Sequence, residues 1–188
     1  MRCFIAIDID DTIKAGLRDL QQRLAGRVDI AKGDVKWVSP DAMHLTLKFL
    51  GEIKDQQAVE ACNMVKQVAG RHSSFEIGVE SVGSFGGRSA RVVWMGAGLN
   101  CDSLMHLQED IERQFEQAGW PTEQRKFAGH LTLCRVRNAG AGVKLAKLAE
   151  QYKDFSLGTM AADAVSVYQS ELTPKGPIYT LLGNYVLS

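Results

Sequence analysis

His44-Leu45-Thr46-Leu47 and His130-Leu131-Thr132-Leu133 are one tetrapeptide written twice, once in each half of a 188-residue chain. Each copy reads as a β-strand, because β-forming residues alternate in side-chain character. Residues i and i+2 of a strand share a face. His44 and Thr46 therefore point one way, and Met43, Leu45, Leu47 and Phe49 point the other. His130 and Thr132 stand in the same manner over Leu131 and Leu133. The apolar faces build a core and leave two His/Thr pairs on the opposite side. A single His among hydrophobic residues is ordinarily structural, but repetition at matching places argues for a paired site. An approximate two-fold between the halves brings the pairs into one cleft, where two imidazoles and two hydroxyls suit acid–base chemistry on a phosphate.

The segments around the motifs recur in a similar order. Cys3 to Ile7 reads as a buried strand, and Asp10 or Asp11 can cap the helix marked by Ile13, Leu17, Leu20 and Leu24. Val35 to Val38 is a short strand, the first motif strand runs from about Met43 to Leu50, and Ala58 to Val68 is a second helix. Ser74 to Val82 alternates as another strand. In the second half, Arg91 to Gly96 resembles the N-terminal strand. The helix face of Leu104, Leu107, Ile111 and Phe115 follows, then the second motif strand, a helix over Val143 to Tyr152 and extended segments to Val186. This order predicts a duplicated β-α-β-α-β unit. The expected organisation is one domain over residues 1–188, in two pseudo-symmetric lobes of about 1–85 and 86–188. Gly83 to Ser89, with three glycines, is the expected crossover between lobes and a mobile loop.

Lys plus Arg and Asp plus Glu number 22 each. That balance argues against a protein that coats long nucleic acid by counterion release, but it leaves room for recognition of one phosphate or one oligonucleotide end. Hydrophobic content of 45% and charged content of 23% are ordinary for a globular domain. Cys3, Cys62, Cys101 and Cys134 contain no C-x-x-C pair, which argues against a zinc site and for reduced thiols in the cytoplasm. Cys134 is read as a small buried side chain. No signal-peptide pattern opens the chain, and no apolar run approaches the ~20 residues needed to span a bilayer. A monomer is expected, since no long apolar heptad pattern is present.

Other residues near the motifs are candidates for holding an anion. Lys48 lies four after His44 and so shares its face on a regular strand. Arg125 and Lys126 precede the second motif, and Arg135 and Arg137 follow it. A basic rim suits an anionic substrate. Arg135 has the wrong parity to share the His130 face unless a bulge turns it inward. Trp37 and Phe127 each lie shortly before a motif His, where an aromatic ring can stack a base or pack the core. His72 and His106 lack a Thr two residues on and are read as surface or boundary residues. Gly83, Gly86 and Gly87 lack the Gly-Lys-Ser/Thr ending of a P-loop.

These residues resemble the 2H phosphoesterases, and within them the RNA 2′,3′-cyclic phosphodiesterases formerly called 2′-5′ RNA ligases. The matching pieces are Arg2 to Ile7, Trp37 ahead of His44 to Gly51, Phe127 ahead of His130 to Arg135, and the tail Tyr168 to Leu172 with Gly176 to Tyr179. One departure is Ala128-Gly129, where the family often places Pro before the second motif His. The resemblance implies an α+β, LigT-like fold: two lobes with antiparallel sheets around a central cleft. It implies hydrolysis of RNA 2′,3′-cyclic phosphate ends to 2′-phosphates with neither metal nor cofactor. RNA ends, nucleoside 2′,3′-cyclic phosphates and tRNA halves become the expected partners, with reversible 2′-5′ joining as a second reaction. By analogy His44 is the proton donor and His130 the proton acceptor. Thr46 and Thr132 steady the phosphate, and Lys48, Arg135, Phe127 and Trp37 bind the substrate.

Two alternatives belong to other classes. A non-catalytic module could hold a phosphorylated end with both histidines, although Arg or Lys serves simple anion binding better. A metal-dependent hydrolase needs more ligands than two His-x-Thr pairs supply, and no carboxylate recurs at matching spacing in both halves.

Overall fold

The run Cys3-Phe4-Ile5-Ala6-Ile7 is buried without interruption, and a strand covered on both faces belongs inside a sheet. The computed structural model, which describes residues 1–174 and 176–188, places it there. β1 (Arg2–Asp8) pairs antiparallel with β3 (His44–Glu52) on one side and β8 (Ala164–Thr173) on the other. β9 (Gly176–Val186) forms the far edge of this four-stranded sheet. The second sheet has five strands: β2 (Val35–Trp37), β6 (His130–Val136), β5 (Val92–Ala97), β4 (Phe75–Phe85) and β7 (Ser156–Ala162), in that spatial order. All its pairings are antiparallel too. The α+β class and the duplication are as expected from sequence.

The lobes are not the two halves of the chain. The order β3-β1-β8 in the first sheet corresponds to β6-β5-β4 in the second. Each repeat thus gives its motif strand and its first strand to one sheet, and its next long strand to the other. The expected boundary near residue 85 falls inside a hairpin of one sheet. Gly86 (φ 119°) and Gly87 (φ 69°) turn the chain through the left-handed region open to glycine. The Arg91 amide then donates to the Phe85 carbonyl at 2.7 Å. The Gly-rich stretch therefore closes a β4–β5 hairpin and is not a crossover between lobes.

The helices are exchanged in the same way. α1 (Asp11–Arg27) and α3 (Asp102–Gln117) follow the first strand of each repeat, and α2 (Asp55–Ala69) and α4 (Ala139–Gln151) follow the motif strand. α2 packs on β8 and β9 and α3 on β3, while α4 packs on β4, β5 and β6 and α1 on β7. Asp10 starts α1 by accepting the Ile13 amide at 2.7 Å, as its position predicted. Leu17, Leu20 and Leu24 of α1 and Leu104, Leu107, Ile111 and Phe115 of α3 join Ile5, Ile7, Leu45, Leu131 and Leu133 in one core cluster. Among the described residues, no helix is long and apolar enough to cross a membrane.

Candidate active site

Two bulges decide which side chains accompany the histidines. Along β3 the pairing runs His44 with Asp8 and Thr46 with Ala6, and then Lys48 with Ile5, leaving Leu47 as an extra residue. Two residues opposite one make a β-bulge, and the bulge reverses the alternation beyond it. Lys48 therefore turns with Ile5 toward the core, and Phe49 turns with Phe4 toward the histidine side. β6 repeats the device. Thr132 pairs with Trp94, Cys134 pairs with Val93, and Leu133 is the extra residue. Cys134 is driven into the core, where burial pushes its thiol up to about 12. Arg135 emerges exposed on the histidine side, by the bulge its parity required.

Two buried glutamines brace these bulges. Gln21 of α1 donates from Nε2 to the Leu133 carbonyl at 2.9 Å and to the Val38 carbonyl at 2.7 Å. Gln108 of α3 reaches the Leu47 carbonyl at 3.5 Å. Each glutamine interrupts an apolar helix face, and a buried amide must find partners. That interruption is the only trace of them in the sequence.

Lys48 is accordingly not a substrate contact. It is 5% exposed, and its Nζ donates to Glu112 Oε2 at 2.6 Å and to the Pro121 carbonyl at 3.1 Å. Lys48→Met should cost about 2–3 kcal/mol of stability, because it strands the Glu112 carboxylate, while leaving turnover near wild type. Denaturant midpoints and steady-state kinetics check this, and a raised KM at unchanged stability would return Lys48 to the anion site. Trp37 takes up the packing alternative. It pairs with Cys134 across β2–β6 and packs against the core. Its neighbour Lys36 pairs with Arg135 and shares that residue's face. Phe127 packs against the core as well. Arg135 and Lys36 therefore share one exposed face beside the second motif, while Trp37 and Phe127 are half-buried against the core.

His44 is half-buried in an aromatic corner. The Phe4 ring stacks on it with centroids 4.4 Å apart, Tyr179 meets it edge-on at 5.0 Å, and Tyr168 lies at 6.3 Å. Burial lowers its pKa to about 4, against an upward pull from the Asp8 carboxylate. His130 meets Phe85 edge-on at 5.2 Å and Trp94 at 6.3 Å. Its Nδ1 lies 2.7 Å from the Ala128 carbonyl. A carbonyl only accepts, so Nδ1 carries the hydrogen and the neutral ring keeps its lone pair on Nε2. Thr46 and Thr132 are half-exposed beside their histidines, and neither hydroxyl is bonded to another protein group among the described residues.

The backbone before His130 is fixed by close approach. A Cβ on Gly129 would lie 2.0 Å from the Ala97 carbonyl oxygen, so the absence of a side chain lets this loop enter β6 beside the end of β5. Phe85 was hidden from sequence reading inside a Gly-rich stretch. Tyr168 and Tyr179 gave no periodic signal, because their role depends on strands β8 and β9 joining the first sheet.

The motif strands β3 and β6 pack against each other where the two sheets meet. Arg135 of the second sheet is near enough to favour the phenolate of Tyr179 on the first, although burial keeps that phenol above its ordinary value. The histidine faces of the two sheets are therefore neighbours. His72 and His106 instead line a groove of about 540 Å³ beside α3, where His72 Nε2 lies 3.0 Å from Asp110 Oδ2.

The LigT like Phosphoesterase family profile matches residues 7–94 and 100–179, nearly one copy per repeat. The chain belongs to this family. An RNA 2′,3′-cyclic phosphodiesterase of Methanothermobacter thermautotrophicus is 35% identical over 96% of this chain and 95% of its own length. The enzyme of that name from Thermotoga maritima is 38% identical over 97% and 93%. Escherichia coli LigT crystallised with 3′-AMP superposes with a TM-score of 0.77 at 25% identity, covering 100% of this chain and 98% of that one. A Thermus thermophilus protein reaches a TM-score of 0.81 at 24% identity, covering 100% and 98%, and shares the fold. The two antiparallel sheets of the LigT family are the scaffold on which both motifs sit.

Proposed function

We propose that this protein hydrolyses RNA 2′,3′-cyclic phosphate ends to 2′-phosphate ends, using His44 as proton donor and His130 as proton acceptor. The observation that carries this reading is the repeated His-x-Thr pair on adjoining strands of two sheets, in a chain closely similar to named RNA 2′,3′-cyclic phosphodiesterases. A cyclic phosphodiester needs a water deprotonated on one side of phosphorus and the leaving 3′-oxygen protonated on the other. His130 offers Nε2 to the water, because its Nδ1 hydrogen is engaged by Ala128. His44 delivers the proton to the leaving oxygen. Thr46, Thr132 and the positive charge of Arg135 stabilise charge growing on the non-bridging oxygens. RNA ends and nucleoside 2′,3′-cyclic phosphates are the substrate class, tRNA halves are candidates within it, and 2′-5′ joining is the same ring opening with a 5′-hydroxyl in place of water, reversible by attack of the 3′-hydroxyl on the new 2′-5′ bond.

This chemistry needs no metal or cofactor, because the charge stabilisation comes from two hydroxyls, one guanidinium and one imidazolium. Among the described residues, no group of three His, Cys, Asp or Glu side chains is arranged to hold a metal ion. EDTA should leave the rate unchanged, and activity restored only by added zinc or manganese would overturn the metal-free scheme. The direct test is incubation with a 2′,3′-cyclic-phosphate oligonucleotide and identification of the product isomer. A 2′-phosphate is expected, whereas tight binding without turnover would favour the end-binding module.

The acid–base pair also fixes a pH signature. kcat/KM reports the free protein, in which burial holds His44 at about 4. Its acid limb should therefore lie near pH 4. A bound phosphate anion favours imidazolium on both rings, so both limbs of kcat should lie at higher pH than those of kcat/KM. An acid limb of kcat/KM above pH 6 would remove His44 from the titrating pair.

A further inference from the structure

The two motifs are equal in sequence but not in what stands opposite them. His44 is paired across the β1–β3 ladder with Asp8, and directly opposed residues in an antiparallel sheet have side chains within contact range. The matching position opposite His130 is Gly96. No side chain can be placed there, because a Cβ on Gly96 would lie 2.5 Å from the Glu80 carbonyl oxygen. Glu80 is the nearest carboxylate along that ladder and sits one strand further from His130, on β4. Across the ladders, the position opposite the motif histidine thus carries a carboxylate at His44 and no side chain at His130.

Asp8 is held for this place. The Tyr168 hydroxyl donates to its Oδ1 at 2.8 Å, and the Ser166 hydroxyl donates to its Oδ2 at 3.0 Å. Ser166 is fully buried and receives the Asn184 side-chain amide at 2.9 Å. Three strands of one sheet, β1, β8 and β9, therefore fix the carboxylate through an Asn184–Ser166–Asp8–Tyr168 chain. Ser166 is the buried member of this chain, Tyr168 is half-buried, and Asp8 and Asn184 are exposed, so the two hydroxyls orient a carboxylate that remains open to solvent.

We propose that Asp8 is a positioning residue whose carboxylate favours the protonated form of His44 and so supports its role as donor, a support that the matching position opposite His130 does not supply. The proposal rests on the two-histidine reading above. Around His44, β1 contributes Asp8 and Phe4, β8 contributes Tyr168, and β9 contributes Tyr179. Arg135 reaches Tyr179 from β6, and His130 starts that same strand. Lys48 of β3 is turned to Glu112. Asp8 is the group whose charge raises the proton affinity of His44 against its burial. Donor and acceptor are both correctly protonated in a fraction of molecules that falls tenfold for each pH unit by which the donor weakens relative to the acceptor.

The test reads the imidazoles themselves. NMR titration of the four histidines, assigned with single His→Gln variants, is run on the wild type, Asp8→Asn and the shorter Asp8→Ser. The two neutral replacements guard against one failing to fold. The expected result is a fall of the His44 midpoint by about half to one pH unit, with the His130 midpoint unmoved. An unmoved His44, or an equal movement of both histidines, overturns the proposal whatever the activity shows. Kinetics on the same variants address the reading it rests on. If His44 is the donor, kcat/KM near neutrality falls about three- to tenfold and its acid limb moves to lower pH. If the His44 midpoint falls but kcat/KM does not, Asp8 still sets the proton of His44 and the donor assignment fails instead.

Discussion

His44→Ala and His130→Ala should each reduce turnover of a nucleoside 2′,3′-cyclic phosphate by at least ~10²-fold, the scale of a lost general acid or base. The double variant should be little worse than the weaker single one, because donor and acceptor act on one in-line displacement and neither works alone. Both imidazoles also pack against aromatic rings, so circular dichroism and a thermal midpoint must accompany the kinetics. At His44 the loss of the Phe4 stack is an additional structural effect. His44→Gln, which retains bulk and polarity, separates packing from proton transfer. Either alanine variant keeping near-full turnover with its fold intact would overturn the two-histidine mechanism, leaving a phosphate-binding pocket whose chemistry lies elsewhere.

The histidines and threonines were legible because a strand of period two carries its own face, and two copies give that face a meaning. Lys48 and Arg135 were harder for one physical reason. Parity counting puts Lys48 beside His44 and Arg135 away from His130, and a bulge after each threonine reverses both. A bulge is a tertiary event. Here the carbonyl of each extra residue meets an amide, from Gln21 or Gln108, on helices far off in sequence. Trp37 follows the same logic. Its strand is three residues long and its facing is set only by the register with Cys134, so adjacency to the motif in sequence said nothing of its direction. The expected lobes failed because sequence similarity between halves identifies repeats, whereas a sheet is defined by pairing. β8 returns across the whole molecule to β1, which brings Tyr168, Tyr179 and the Asp8 clamp to His44.

Thr46→Val and Thr132→Val should each slow the chemical step by about 2–4 kcal/mol of barrier, the usual loss when one donor to a developing oxyanion is removed. Valine keeps the β-branched shape and the strand preference, so the substitution isolates the hydroxyl. The setting makes this a sharp test. Each threonine stands on the last regular pair before a bulge, Thr46 opposite Ala6 and Thr132 opposite Trp94. Each is half-exposed, and among the described residues neither hydroxyl is engaged by the protein. A hydroxyl kept only for structure would have a partner to lose, and its removal would register as lower stability. A hydroxyl kept for the phosphate has none in the free protein. Its removal should leave the denaturation midpoint in place and lower kcat and kcat/KM together, because the bond strengthens only as charge moves onto the oxygens. Stability lost with kinetics unchanged would return both threonines to the scaffold. A rise in KM alone would make them ground-state phosphate ligands, and the stabilisation of charge would then fall to Arg135 and the imidazolium.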